Sequence, residues 1–345
     1  MNTLSSIRLL TIALIFSSVQ AFGQTSYDTW NFLIKGMNGS FTDSLSSLGV
    51  RTDATADYDN PYDTPRPPRS PSGLYLEVYF PHSGGAYPAI LGTRYATDYS
   101  TPADPTWNLS VEASAAGPVT LSWDSSYVDA IEQRVQLFLY DISAGTYTNM
   151  RATGSYAFTY SVKRDFQIIG SIKTDLTFLL EGFWNGAAQP RDTVTGYLAS
   201  SASPFGFVDS VKAYLSSTGT GLLAFPAAAS GSYYVVVRHR NHLEVWSSAP
   251  VAMTRTTTSF STYNFSTSAS QAFGTSALIQ VGSVFAAWAG DVNQDGVIDF
   301  LDRNLTWNNR TQTGYLFTDC NGDNVTNTAD DALVLNNRLI VRQRP

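Results

Sequence analysis

Short runs in which apolar and polar residues alternate recur along most of the chain, with Gly, Pro, Asn, Asp and Ser gathered between them. From residue 25 to about 169 such runs predict strands over 74–80, 107–113, 119–123, 134–140, 156–160 and 165–169. A period of two sends successive side chains to opposite faces, as half-buried sandwich strands require. A second set follows over 175–181, 194–198, 208–215, 221–225, 233–238 and 243–246. Helix-length periodic segments are missing from both stretches, so each is expected to be an all-β sandwich. The break at 51–71 holds Pro61, Pro65, Pro67, Pro68 and Pro71. Proline cannot donate to a sheet ladder, which makes this stretch a crossover or surface loop. The Ser/Thr-rich stretch 254–276 reads as loop with a short strand around Tyr263, Asn264 and Phe265.

The N-terminus carries a different pattern. Arg8 precedes the apolar run Leu9 to Phe16, and small residues follow from Ser17 to Gly23. This predicts an export signal over 1–23, with cleavage after Ala21 or Gly23. The run is too short to span a bilayer, and no later segment is apolar enough to do so. The expected organisation is a signal peptide over 1–23, an N-terminal β-sandwich over 24–169, a second sandwich over 170–286 and a small α-helical module over 287–345. The expected location is extracellular or on the outer cell surface.

Composition supports this and narrows the function. Lys and Arg number 21 against 28 Asp and Glu, a net charge of −7. The basic residues are scattered, so no face is positive enough to release the counterions of a nucleic acid. The one cysteine, Cys320, excludes both an intrachain disulfide and a lipid-anchored cysteine at the cleavage site. An exported chain without disulfides needs another staple, and bound metal is a candidate.

Two dodecamers near the C-terminus supply that staple. The first places Asp291, Asn293, Asp295, Asp299 and Asp302 at positions one, three, five, nine and twelve. The second places Asp319, Asn321, Asp323, Asn327 and Asp330 at the same positions. Calcium takes six to eight oxygens, and a loop of this spacing adds the main-chain carbonyl at position seven, here Val297 and Val325. The sixth residue must turn with positive φ, which Gly296 does freely and Asn324 does next best. An ordinary Asn/Asp-rich turn would explain one such run; two in tandem point to two Ca2+ sites. Position eight usually buries an aliphatic side chain. Ile298 conforms and Thr326 does not, so the second loop is expected to be looser.

These loops resemble the type I dockerin repeat, a calcium loop followed by one helix and ending in Asp where EF-hands commonly have Glu. The resemblance implies helices over 303–309 and 331–340. Cellulosomal dockerins read their cohesin partner at loop positions ten and eleven, commonly with a hydroxyl pair. Here those positions are Phe300-Leu301 and Thr328-Ala329, which departs from the pattern. Phe300, Leu301 and Trp307 are therefore expected to dock the module onto the sandwich before it. The stretches Leu180 to Asn185, Val208 to Ser210 and Gly231 to His242, with the Arg344-Pro345 ending, resemble a tail carried by secreted proteins of Gram-negative environmental bacteria. The Gly231, Tyr233, Val235, Val237, His239 alternation resembles a transthyretin-like or carboxypeptidase-regulatory sandwich, and the N-terminal region resembles Ig or fibronectin-type sandwiches in pattern.

Other candidates favour structural readings. His239 and His242, at i and i+3, are expected to face different ways and to form a hydrogen-bonded strand end. Asp53, Asp57, Asp59 and Asp63 match no ligand spacing and read as a solvated loop. Most of Trp30, Trp107, Trp123, Trp184 and Trp246 should be core. Glu77 and Glu112 could serve a glycosidase only if they faced one another across a cleft. Cys320, at position two, should point away from the metal. Together these readings describe a non-catalytic, calcium-binding structural or adhesive protein. Its partner would be a surface protein or a polysaccharide. Three alternatives are a dockerin-type plug for a cohesin-like partner, an accessory or active component of polysaccharide degradation, and self-association by strand exchange.

Overall fold

A computed structural model describes residues 29–69, 71, 73–84, 86–101, 106–123, 135–256 and 260–345. The expected export signal lies outside the described residues. The chain is mainly β, two sandwich cores followed by a small helical module.

The first sandwich packs a five-stranded sheet on a six-stranded one. In the first sheet the order is Ser155–Tyr160, Gly117–Trp123, Trp30–Asn38, Phe41–Val50 and Thr97–Ser100. In the second it is Arg94–Tyr95, Leu76–Pro81, Thr106–Ala113, Arg164–Ile169, Phe138–Asp141 and Thr146–Asn149. Phe32, Ile34, Leu48 and Leu121 of one sheet meet Val78, Phe80, Leu109 and Phe166 of the other. Each such side chain contributes about 1.5–3 kcal/mol by leaving water. The hairpin Trp30–Asn38 and Phe41–Val50 is absent from the strands expected above. Its signal was the alternation that buries Trp30, Phe32 and Ile34 while exposing Asn31 and Leu33, followed by Asn38-Gly39 at the turn. Gly39 has a φ of 55°, the conformation a tight hairpin turn demands.

The proline-rich crossover is anchored at Asp63, which corrects the picture of a solvated loop at that residue, while Asp53 and Asp57 are exposed. Asp63 is buried, and its carboxylate accepts the main-chain N–H of Asp59 at 2.7 Å and of Tyr99 at 3.0 Å. Arg66 sends its guanidinium inward to Asp43 at 2.8 Å. A loop of this length can lie flat on a sheet only if its own polar groups are satisfied there.

The second sandwich packs Thr220–Phe225, Ile172–Thr177 and Ser261–Asn264 against a larger sheet. That sheet runs Phe207–Leu215, Asp192–Ser200, Gly231–His239 and His242–Trp246, with Val251–Met253 beside the third strand. Its core includes Phe178, Leu198, Leu223, Phe225 and Val235.

Lys173 on Ile172–Thr177 is buried, with its Nζ 2.6 Å from the Thr256 carbonyl. Burial pulls its pKa down to about 8. The unfolded chain therefore holds a proton that the folded chain releases between about pH 8 and the free lysine value. Stability must rise with pH across that window, by linkage. Urea titrations at pH 7, 8.5 and 10 should show this rise in the parent and its loss in Lys173→Met; a parallel pH response in both proteins would contradict it.

Candidate metal centre

The C-terminal module is two copies of one unit. Helix α1 spans Phe300–Asn308 and helix α2 spans Thr328–Asn336. Both start three residues earlier than expected, because position nine of each loop is the N-cap. Asp299 Oδ1 accepts Leu301 N–H at 2.7 Å, and Asn327 Oδ1 accepts Ala329 N–H at 2.7 Å. The twelfth residue reaches back to complete a capping box, Asp299 N–H to Asp302 at 2.9 Å and Asn327 N–H to Asp330 at 2.8 Å. Helix α2 ends at Asn336 rather than near 340, where Leu339 turns with a φ of 73°.

The loops share their internal hydrogen bonds. Asp302 Oδ1 accepts from Val292 and Asn293 N–H at 2.8 and 3.0 Å, and Asp330 Oδ1 from Cys320 and Asn321 N–H at 2.7 and 3.1 Å. Asn293 Oδ1 accepts Asp295 N–H at 2.9 Å, and Asn321 Oδ1 accepts Asp323 N–H at 3.0 Å. Asp295 and Asp323 each accept the N–H two residues on, from Val297 and Val325, at 2.9 Å. At position six, Gly296 and Asn324 have φ of 93° and 66°. Position four is also left-handed, Gln294 at 62° and Gly322 at 72°. These turns bring Gly296 N–H to 3.4 Å from Asp291 Oδ1 and Asn324 N–H to 3.0 Å from Asp319 Oδ2.

Position eight binds the two units together. Ile298 exchanges main-chain bonds with Leu339 and Ile340, the chain after α2. Thr326 does the same with Thr311 and Gln312, the chain after α1. The second loop is not looser packed: Thr326 is as buried as Ile298, and its hydroxyl lies 2.7 Å from Thr318 Oγ1.

Burial and crowding disfavour the charged form of the loop carboxyls. Asp291 is 2% exposed, and burial pushes its carboxyl up to about 7, with the Asp302 and Asp295 charges adding to the shift against the Gly296 N–H and Arg342. Burial likewise raises Asp302 and Asp330. Like charges sunk in one turn disfavour ionisation unless a countercharge joins them. Among the described residues no three Asp, Glu, His or Cys side chains converge closely enough to hold a metal by themselves. An ion here would have to draw on asparagine and main-chain oxygens as well, a donor set calcium accepts. What matches the ion is the type of residue at each loop position and the left-handed turns at positions four and six, not a preformed cluster.

Phe300, Leu301 and Trp307 do not dock the module; they are 62%, 58% and 46% exposed. Asp302 must face inward to close the loop. At 100° per residue this turns Thr306 inward with it and sends 300, 301 and 307 outward. The docking face consists instead of Val292, Ile298, Cys320 and Val334, packed with Leu243 and Ala289. Cys320 is thus buried, its thiol pushed up by burial.

Polar contacts complete this seam, and little in the local residue pattern pointed to them. Arg240 pairs with Asp192, stacks 4.1 Å from the Tyr315 ring and donates to Leu316 O at 2.9 Å. Tyr315 donates to Asp192 at 2.5 Å. Glu181 accepts Ala289 N–H at 2.9 Å and Asn337 Nδ2 at 2.6 Å. His239 and His242 do not face apart: their Nδ1 atoms lie 2.9 Å from each other in the interior. The Arg240-Asn241 turn folds the chain back, so residues at i and i+3 become cross-strand partners. Both rings are hydrogen-bonded, His242 Nε2 to Glu181 O at 2.9 Å and His239 Nε2 to Asp192 at 3.2 Å.

In the first sandwich Glu77 and Glu112 are register partners on neighbouring strands. Arg69 bridges them at 2.9 and 2.7 Å, and Arg94 bonds Glu77 at 2.5 Å. Burial raises Glu112, but bonds from Tyr79 and Arg69 outweigh it and hold the carboxyl below its ordinary value. A glycosidase acid needs the opposite shift. Trp30, Trp107, Trp123 and Trp246 are buried, and Trp184 is half-buried.

No family model matches the chain. No curated protein matches it either. Among solved structures, an N-terminal and a C-terminal interface mutant of a type II cohesin–X–dockerin complex from Acetivibrio cellulolyticus are similar at 18% identity. Each match covers 50% of this chain and 97% of the other, with TM-scores of 0.30 and 0.29. A superposition this loose says nothing of how this chain folds or what it binds.

Proposed function

We propose that the chain is a non-catalytic extracellular protein with a structural or adhesive role, its C-terminal module held by two calcium ions. The first ion would take Asp291, Asn293, Asp295, Asp299, Asp302 and the Val297 carbonyl. The second would take Asp319, Asn321, Asp323, Asn327, Asp330 and the Val325 carbonyl. The observation that carries this reading is the repetition of one oxygen-lined loop, with the same bonds at positions three, five, nine and twelve and left-handed residues at positions four and six. Extracellular loops of this kind bind in the range of about 0.1–1 mM, which suits a permanent ion better than a switch.

A non-catalytic role has its own test. Incubation with a panel of glycans should release no product. Release that disappears in Glu77→Gln or Glu112→Gln would replace this reading with a polysaccharide-active enzyme. The outward Phe300, Leu301 and Trp307 favour a second reading, in which the module binds a protein partner as an assembly plug. Pull-down from cell-surface extracts separates the two: capture of one protein, lost with chelator, supports the plug.

A further inference from the structure

One residue outside both loops touches the start of each. Asn241 is fully buried at the tip of the hairpin formed by Gly231–His239 and His242–Trp246. Its Nδ2 donates to the main-chain oxygen of Asp319, position one of the second loop, at 2.6 Å. Its own carbonyl accepts the N–H of Gly290, immediately before Asp291, at 2.8 Å. The next carbonyl, of His242, accepts Gln294 Nε2 of the first loop at 3.3 Å.

Resting on the calcium reading above, we propose that Asn241 is a positioning residue for the second loop and that this hairpin tip couples both loops to the second sandwich. The direction of the Asp319 carboxylate follows the orientation of its peptide. That carboxylate already accepts Gly322 N–H at 2.8 Å and Asn324 N–H at 3.0 Å, so it closes the loop from the far side. Without the strut the Asp319 peptide can rotate, and a buried carbonyl loses its donor. The loss falls on the ion-loaded loop, whose oxygens must converge. Removing a partner that orients a ligand from outside the coordination sphere typically weakens metal affinity by about 10–100-fold.

Calorimetric titration of the full chain with calcium chloride tests this. The parent should take up two ions. Asn241→Ala should weaken one site at least about tenfold and leave the other within about twofold. Asn241→Asp, which fills the same space but offers an acceptor where a donor is needed, should be no better; rescue by this variant would reduce Asn241 to packing and overturn the proposal. Gln294→Ala, which removes the bonds from Nε2 to His242 O and to Asp291 O at 2.5 Å, should weaken the other site and not the one Asn241 serves. Melting with and without EGTA gives the independent readout. The gap between the parent and Asn241→Ala should be wider with calcium, and an equal gap in both conditions, or two unchanged affinities, overturns the proposal. A parent that takes up no calcium overturns the calcium reading itself, a separate outcome.

Discussion

Chelating calcium is expected to lower the stability of the folded chain by about 5 kcal/mol when the ion had been present at a hundredfold excess over its Kd. Each proposed site would contribute about 2.7 kcal/mol under that condition, and two are proposed. The effect should be local first. Asp291, Asp295, Asp299 and Asp302 crowd four carboxylates into one turn, and without a cation their repulsion opposes the closed loop. The module should open, followed by the seam that rests on it, where Val292, Ile298, Cys320 and Val334 pack against Leu243 and Ala289. Limited proteolysis in EGTA should cut within 290–337 well before the first sandwich is touched. Equal resistance with and without EGTA, at an unchanged melting temperature, would show that no ion stabilises this end.

The second large effect is expected at Asp192. Its carboxylate is almost fully buried and receives Arg240, Tyr315 and His239 at the seam. Burial would raise its pKa, but the bonds from His239, Tyr315 and Arg240 outweigh it and hold the carboxyl well below the ordinary range. Asp192→Asn leaves Arg240 without its counter-charge and should destabilise by about 3–5 kcal/mol at pH 7. The depressed folded-state pKa fixes the sign of the pH dependence. Stability from this group is full above about pH 4, the free carboxyl value, and drains away as pH falls toward the folded pKa. Urea titrations at pH 7, 4.5 and 3 should show the parent losing its advantage over the variant with acid. A gap that stays constant or widens toward pH 3 would contradict the assignment.

The β-sandwich class was legible because period-two alternation reports burial directly, as in Gly117–Trp123 and Asp192–Ser200. The loop turns were legible too, because Gly296 and Asn324 stand where a left-handed residue is required. The rest was hidden for definite reasons. Helix starts were misplaced because Asp299 and Asn327 read as ligands and not also as N-caps. The outward turn of Phe300 and Trp307 depends on which way Asp302 faces, and composition does not encode that. His239 and His242 could be paired only by recognising Arg240-Asn241 as a two-residue turn. Contacts such as Asn337 to Glu181 join residues 156 apart, a distance at which local pattern has nothing to say.

Metal content is the most direct measurement. At equilibrium dialysis against calcium held well above the expected range of about 0.1–1 mM, the protein side should hold two calcium ions per molecule more than the buffer side by elemental analysis. Asp291→Ala and Asp319→Ala should each remove one, and the double substitution both. A parent with no bound calcium, or a double variant that still carries two, would mean that these twin acidic turns are not where the chain holds its ions.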